Sequence, residues 1–400
     1  MFLKKLIVMK IKDFFIEDTL DINWDFVLTL PYFKEFETTQ QNPRWHSEGN
    51  VLEHTKLCVE NMYNFMIDDV RSTYYKRLMM LSALFHDIGK PATTFMGDDG
   101  NWHSYGHEKV GAKLTREMLW DWNLYDREFI SHMVLYHMEP LFVFKQKDSD
   151  KAIKRMMSVL PYKSLYYLKM SDLLAAVQDP EFSTKEQDKQ IVENFLTRCE
   201  ELHRENDSIS PSLTMLNFIN DRDFVSTSLG DFSIRNFPQS YSGGFLHIMI
   251  GLPGSGKNTW IEYLKAKSYI SADAVILSRD DIRVELGYCT ADEKIVGTDE
   301  QEKKVTKIFN ERLNAAMKEK KDIVVNNINL SEKRRKALKN QCSTYSPVYW
   351  YVEAPTFADN LSRRDGQIGK EVFNNMIKNF DFPQVFECDL LNIYKQSKDM

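Results

Sequence analysis

Four hundred residues, 43% hydrophobic and 12% aromatic, suffice for two or three domains with sizeable cores and exclude a disordered chain. The net charge of −6 divides unevenly: the first 243 residues carry 28 Lys+Arg against 36 Asp+Glu, the remainder 24 against 22. Neither part is basic enough to bind long nucleic acid by bulk electrostatics, so any such contact must be local, and the acidic half has room for a cluster of metal ligands.

In chain order, the opening "MFLKKLIVMKIKDFF" breaks a short apolar run with Lys10, Lys12 and Asp13 and lacks a small-residue cleavage site. It reads as the first folded element, not a signal peptide. No apolar run approaches the ~18 residues of a membrane span, so no membrane partner is expected. The five cysteines, Cys58, Cys199, Cys289, Cys342 and Cys388, are scattered and form no C-x-x-C. That usage fits a reducing, cytoplasmic setting without a thiolate zinc site.

From about residue 24 to 205 the pattern is helical. "LMMLSALFHDIGK", "GHEKVGAKLTREMLWDW", "DREFISHMVLYH" and "SLYYLKMSDLLAAVQ" space apolar residues three and four apart. Seven of the nine histidines fall between His46 and His137. His54, His86, His107 and His137 lie in apolar helical contexts, Asp87 follows His86, and Asp172 precedes Leu-Leu-Ala-Ala-Val, which turns its carboxylate inward. A buried carboxylate needs a cation or donors, and imidazole with carboxylate suits a transition metal such as manganese, nickel, cobalt, iron or zinc. His103 and His132 read as structural, and His46 as a hydrogen-bonding neighbour of a ligand or substrate.

Residues 206–243, rich in Ser, Asn, Pro and Gly, read as a linker or small connecting module between a domain at 1–205 and one at 244–400. Beyond it strands ("FLHIMI", "AVIL", "DIVVNN", "PVYWYVEA") alternate with helices (about 299–321 and "SEKRRKALKN"), the signature of an α/β domain with a parallel sheet. "GLPGSGKNTW" follows the first strand and opens a helix. In that context Gly251, Gly254, Ser255 and Gly256 curl backbone N–H groups around phosphates, and Lys257 bridges the outer ones. Asn258 stands where a magnesium-binding hydroxyl is usual, and Thr259 sits about 100° round the helix. Asn326 and Asn327 stand where a carboxylate is common. Magnesium is then expected to arrive largely with the nucleotide, ATP or another NTP. "SRDDIR" places Asp280 at a strand end with Arg283 one turn on; spacing alone fits equally an acceptor-activating carboxylate and a charged helix N-terminus.

These motifs carry two resemblances. "GLPGSGKNTW", "SRDDIR" and "NNINLSEKRR", in that order, resemble the kinase domain of phage polynucleotide 5′-kinases over roughly 245–385. The likeness implies that Asp280 is the general base for a 5′-hydroxyl and Arg283 contacts the acceptor's 3′ phosphate. It also implies that Arg363 and Arg364 of "NLSRRDGQ" supply the lid arginines, although the family spaces its pair about four apart. The first half resembles the HD phosphohydrolase superfamily, which implies an all-α fold and a metal frame of His54, His86, Asp87 and Asp172. His107 and His137 match the subset with two metals, bridged by the Asp of the HD pair. Lys90, in H-D-x-G-K, fits a phosphate-neutralising role and a helix C-terminal cation about equally. The order of the two halves resembles the HD-domain polynucleotide kinases, bacterial nucleic-acid repair enzymes. That likeness implies hydrolysis of 2′,3′-cyclic phosphate or 2′-phosphate ends, phosphorylation of 5′-hydroxyl ends, RNA or DNA ends as substrate, and a functional link to a ligase. Two alternatives keep the folds: a nucleotidase fused to a small-molecule kinase, or a hydrolase gated by a non-catalytic ATP-binding domain.

Overall fold

A computed structural model of the chain describes residues 9–205, 225–228 (backbone), 241–289, 297–364 and 368–395. Most of the stretch read as a linker, and the first eight residues of the opening segment, lie outside the described residues. The chain divides at residues 216/217 into two compact units.

The N-terminal unit is helical, as its periodicity predicts: α1 (Val51–Met66), α2 (Thr73–Phe85), α3 (His107–Met118), α4 (Leu124–Tyr136), α5 (Ser149–Met157), α6 (Tyr162–Ala175) and α7 (Lys185–Glu205). Side-chain caps start several of them: Asn50, Ser72 and Asn123 each accept from a backbone N–H three residues on. α2 is buried along almost its whole second half, Leu78 to Phe85, so the turn that follows it begins deep in the unit. A short hairpin, β1 (Phe95–Met96) with β2 (Trp102–His103), interrupts the helices, a feature the periodicity does not announce. α3 and α4 are tied by a buried ion cluster in which Arg116 and Arg127 both donate to Glu128. Such a cluster is costly to bury and costlier to break.

The C-terminal unit is α/β. Its sheet runs β3 (Val225–Ser228), β8 (Leu390–Lys395), β7 (Ser346–Glu353), β4 (Phe245–Ile250), β6 (Ile323–Val325), β5 (Val275–Leu277). The five strands from β8 to β5 are parallel, and β3, drawn from the stretch read as linker, pairs antiparallel with β8 at the edge. The helices are α8 (Lys257–Ala266), α9 (Arg279–Glu285), α10 (Asp299–Lys318), α11 (Glu332–Gln341), α12 (Phe357–Ser362) and α13 (Lys370–Lys378). β4 and β7 are apolar and buried over nearly their full length, as strands covered on both faces must be. The C-terminal ends of β4, β5 and β6 feed the phosphate loop, the Asp280 turn and the Asn326 turn, so those three segments meet at one sheet edge. Among the described residues no helix is long and apolar enough to cross a membrane.

Candidate metal centre and phosphate-loop cleft

Six expected ligands converge inside the N-terminal unit, and all six are buried. His54 lies in the first turn of α1 and Asp172 in the last turn of α6; His86 and His137 end α2 and α4; His107 begins α3. The three histidines at helix ends share one device. Each Nδ1–H donates to the carbonyl three residues back: His86 to Ala83 (2.7 Å), His107 to Ser104 (2.8 Å), His137 to Val134 (2.7 Å). His54 Nδ1 donates to Glu48 at 2.8 Å instead. Because every one of these partners is an acceptor, Nδ1 carries the proton and Nε2 presents a lone pair.

Those lone pairs face one another. His54 Nε2 lies 3.4 Å from His86 Nε2, and His107 Nε2 lies 3.2 Å from His137 Nε2. Asp87 stands between the pairs, with Oδ2 3.1 Å from His86 and Oδ1 3.3 Å from His107. Asp87 Oδ2 also lies 2.7 Å from Lys90 Nζ, yet no hydrogen-bond donor is aligned with it. Asp172 Oδ1 lies 3.0 Å from His54 Nε2. Two histidine pairs sharing one carboxylate, buried and turned toward one another, fit a divalent-metal centre: His54, His86 and Asp87 could hold one cation, and Asp87, His107 and His137 a second.

The electrostatics agree. Burial alone would raise Asp87, but His86 and Lys90 outweigh it and hold the carboxyl well below the usual range. Burial likewise acts to raise Asp172, and Lys169 and His54 hold it well below. Burial, with His107 and His86 nearby, pushes His137 well down, and burial also lowers His107 despite Asp87. Burial opposes charge on His86 too, but Asp87 and Cys58 hold it well above its ordinary value.

The neighbours are specific. Glu48 holds both His54 and His46 at 2.8 Å and accepts the Val177 N–H with its other oxygen. Lys169 donates to Asp172 at 2.7 Å. Neither Glu48 nor Lys169 was expected as a site residue; the i,i+3 spacing of Lys169 and Asp172 on α6 was the available signal. Lys90 is buried and donates to Gln41 at 2.6 Å. Gly89 makes the centre possible: a Cβ there would lie 2.1 Å from His107 O and 2.6 Å from Gly111 N, so only glycine lets the HD turn press against α3. His132, expected as structural, donates Nδ1–H to Glu128 O beneath the ion cluster.

In the C-terminal unit the loop from β4 to α8 has the curl the glycines predict. Gly254 and Gly256 take φ of 76° and 89°, and a Cβ on Gly254 would meet Asn360 O at 2.7 Å. Lys257 Nζ donates to the loop's own carbonyls at Gly251 (2.8 Å) and Leu252 (2.9 Å). Asn258 and Asn326 hydrogen-bond each other at 2.8 Å. A cleft of about 1130 Å³ opens beside them, lined by Gly254, Lys257, Asn258, Thr259, Asp280, Arg283, Asn326, Asn327, Arg363 and Arg364. Every charged residue that the sequence proposed for phosphoryl transfer therefore faces one space. Arg363 Nη1 donates to Gly254 O at 3.1 Å.

Two features of the cleft escaped the sequence. Arg283 donates to Asp280 at 2.6 Å, but its Nε and Nη2 grip Glu302 at 2.6 and 2.8 Å, so the guanidinium fork expected to meet phosphate is already engaged. Arg283, with Arg279 behind it, holds Glu302 down to about 2. Arg334 of α11 also lines the cleft.

Residues 72–161 match the family described as HD domain, and residues 246–383 match the family described as AAA domain. The chain is an HD domain followed by a P-loop kinase-like domain. His54 and Asp172 fall outside the matched 72–161, and the fold supplies them to the HD centre. A CC-adding tRNA nucleotidyltransferase from Thermus thermophilus is 35% identical over 103 residues, which span 24% of this chain and 22% of the relative. The match thus covers about a fifth of that relative's length.

Proposed function

We propose that the chain heals broken nucleic-acid ends with two active sites. The HD unit, assigned to 1–205, hydrolyses a 2′,3′-cyclic phosphate or 2′-phosphate. The P-loop unit, assigned to 244–400, transfers the γ-phosphate of ATP to a 5′-hydroxyl. The observation that carries the reading is the cleft, where Lys257, Asp280, Arg283, Arg363 and Arg364 line one cavity. A phosphate loop needs no Asp-x-x-Arg opposite it merely to bind nucleotide. An attacking hydroxyl does need a base within reach.

In this reading Asp280 takes the proton of the 5′-hydroxyl. Arg283 holds Asp280 in place and exchanges Glu302 for the acceptor's phosphate. Arg363, already on the loop at Gly254, stabilises charge on the transferred group together with Arg364. In the HD unit His54, His86, Asp87 and Asp172 would hold one divalent metal, and His107, His137 and Asp87 a second. Such ions supply a hydroxide nucleophile at neutral pH and neutralise phosphate oxygens. Glu48 fixes the ring of His54, Lys169 turns Asp172 toward the histidines, and Lys90 adds a positive charge beside Asp87. The tRNA nucleotidyltransferase likeness is in keeping with a nucleic-acid substrate. We place the reaction in the cytoplasm, upstream of a ligase.

Separate variants test the assignment. Asp280→Asn is expected to lower 5′ transfer by about 10²–10⁴-fold and spare the 3′ reaction. Asp87→Asn is expected to do the reverse. Loss of both reactions in each variant, with the fold intact, would contradict two independent sites. A second reading, a non-catalytic ATP sensor gating the HD site, draws on the Asn258–Asn326 pair, which offers no carboxylate to magnesium. ATP binding without any 5′ transfer would favour it.

A further inference from the structure

The β1–β2 hairpin sits in the chain between two parts of the metal centre. Asp87 and Lys90 precede it, and His107 follows it. Its base is tied to the centre: Ser104 O accepts the His107 Nδ1–H at 2.8 Å, and Ser104 Oγ meets Thr94 Oγ1 at 2.8 Å. Tyr105 is two residues from His107, which keeps their Cα atoms within ~7.6 Å.

This hairpin exposes aromatic rings on one face. Phe95 is 47% exposed and Tyr105 72% exposed. Phe95 and His103 are direct cross-strand partners, and Tyr105 follows His103 by two. The His103 and Tyr105 rings stack at 5.1 Å and 19°, and Phe95 lies 5.8 Å from His103 and 6.0 Å from Tyr105. The middle ring is fixed from two sides. His103 Nε2 meets Asp99 Oδ1 at 2.9 Å. Gly97 leaves the ring room, since a Cβ there would lie 2.6 Å from His103 Cδ2. Rings this exposed add little to the core, yet the hairpin spends a glycine and an aspartate on holding them in register.

We propose that Phe95, His103 and Tyr105 form a stacking platform for the nucleobase next to the phosphate held at the HD centre. The inference rests on the phosphoesterase reading for which end is bound, and it adds that the base is gripped as well as the phosphate. Stacking on an aromatic ring strengthens binding and tolerates any base, because every base has a π-face. The platform therefore selects for nucleosidic substrates without sequence preference.

The test compares manganese-loaded full-length protein on cytidine 2′,3′-cyclic phosphate and on glycerol 1,2-cyclic phosphate, which has no base. Tyr105→Ala and Phe95→Ala are each expected to lower the kcat/KM preference for the cytidine ester by roughly 10-fold, mainly through KM. Tyr105→Phe is expected to retain it. An unchanged preference in both alanine variants would overturn the platform. If wild-type protein opens neither ester, the phosphoesterase reading falls, and the platform is read by photocross-linking instead. A short RNA carrying a 3′-terminal 4-thiouridine is expected to cross-link within residues 95–105. Cross-links confined to other peptides would overturn it.

Discussion

Asn258 and Asn326 hold each other where a hydroxyl and a carboxylate usually attend magnesium. Two amides lend the metal oxygen dipoles but no charge, and magnesium strongly prefers carboxylate and phosphate oxygens. Magnesium affinity at the loop should then come mainly from the bound triphosphate. The double substitution Asn258→Ser with Asn326→Asp is expected to lower the magnesium concentration for half-maximal transfer by about 10-fold, read from rate against free magnesium. No shift would mean that the pair does not set the metal requirement. Glu48 is the corresponding residue in the HD unit. It holds the His54 ring through Nδ1, and the removal of such an outer partner typically costs 10–100-fold in metal affinity. Glu48→Ala is expected to weaken manganese binding by that order in a competition with a chromogenic chelator. Unchanged affinity would show that His54 is oriented by its helix alone.

Single elements carry two further expectations. The HD turn and α3 touch through Gly89, where even a methyl group collides with backbone. Gly89→Ala is expected to push α3 away from α2 and separate His107 from Asp87, which reduces metal stoichiometry by elemental analysis while the helical circular dichroism persists. Stoichiometry equal to wild type would contradict the close approach. On β4, His247 is 2% exposed and accepts the Trp350 Nε1–H through Nδ1 at 3.0 Å, so its neutral form is the folded one. Burial holds it down to about 4 from an ordinary 6.5. The unfolded chain therefore takes the proton first as pH falls. The stabilisation is complete above about 6.5, declines between 6.5 and 4, and amounts to roughly 3 kcal/mol at most. Hydrogen exchange in peptides covering 245–250 should accelerate from pH 7 to 5, after correction for intrinsic rates, and His247→Gln should flatten the dependence. A parallel pH response in the variant would rule His247 out.

Over the whole molecule, what could be read from sequence was what is local. The phosphate loop and the HD pair each sit within a dozen residues, and each strand or helix of the alternating half carries its own period, so these signals survive without the fold. The ligand set needed family resemblance because His54 and Asp172 are 118 residues apart and meet only when α1 packs on α6. The unread parts are long-range side-chain contacts or weak local signals. Glu302 reaches Arg283 across α9 and α10, Asn326 reaches Asn258 across 68 residues, and a two-residue strand such as β1 has no period to detect. The division of labour is the central claim, and one measurement addresses it most directly. A short RNA with a 5′-hydroxyl and a 2′,3′-cyclic phosphate is incubated with the protein, ATP, magnesium and manganese, and the product is weighed by mass spectrometry. The account predicts gain of one phosphate at the 5′ end together with opening or loss of the phosphate at the 3′ end. An RNA unchanged at both ends would contradict it.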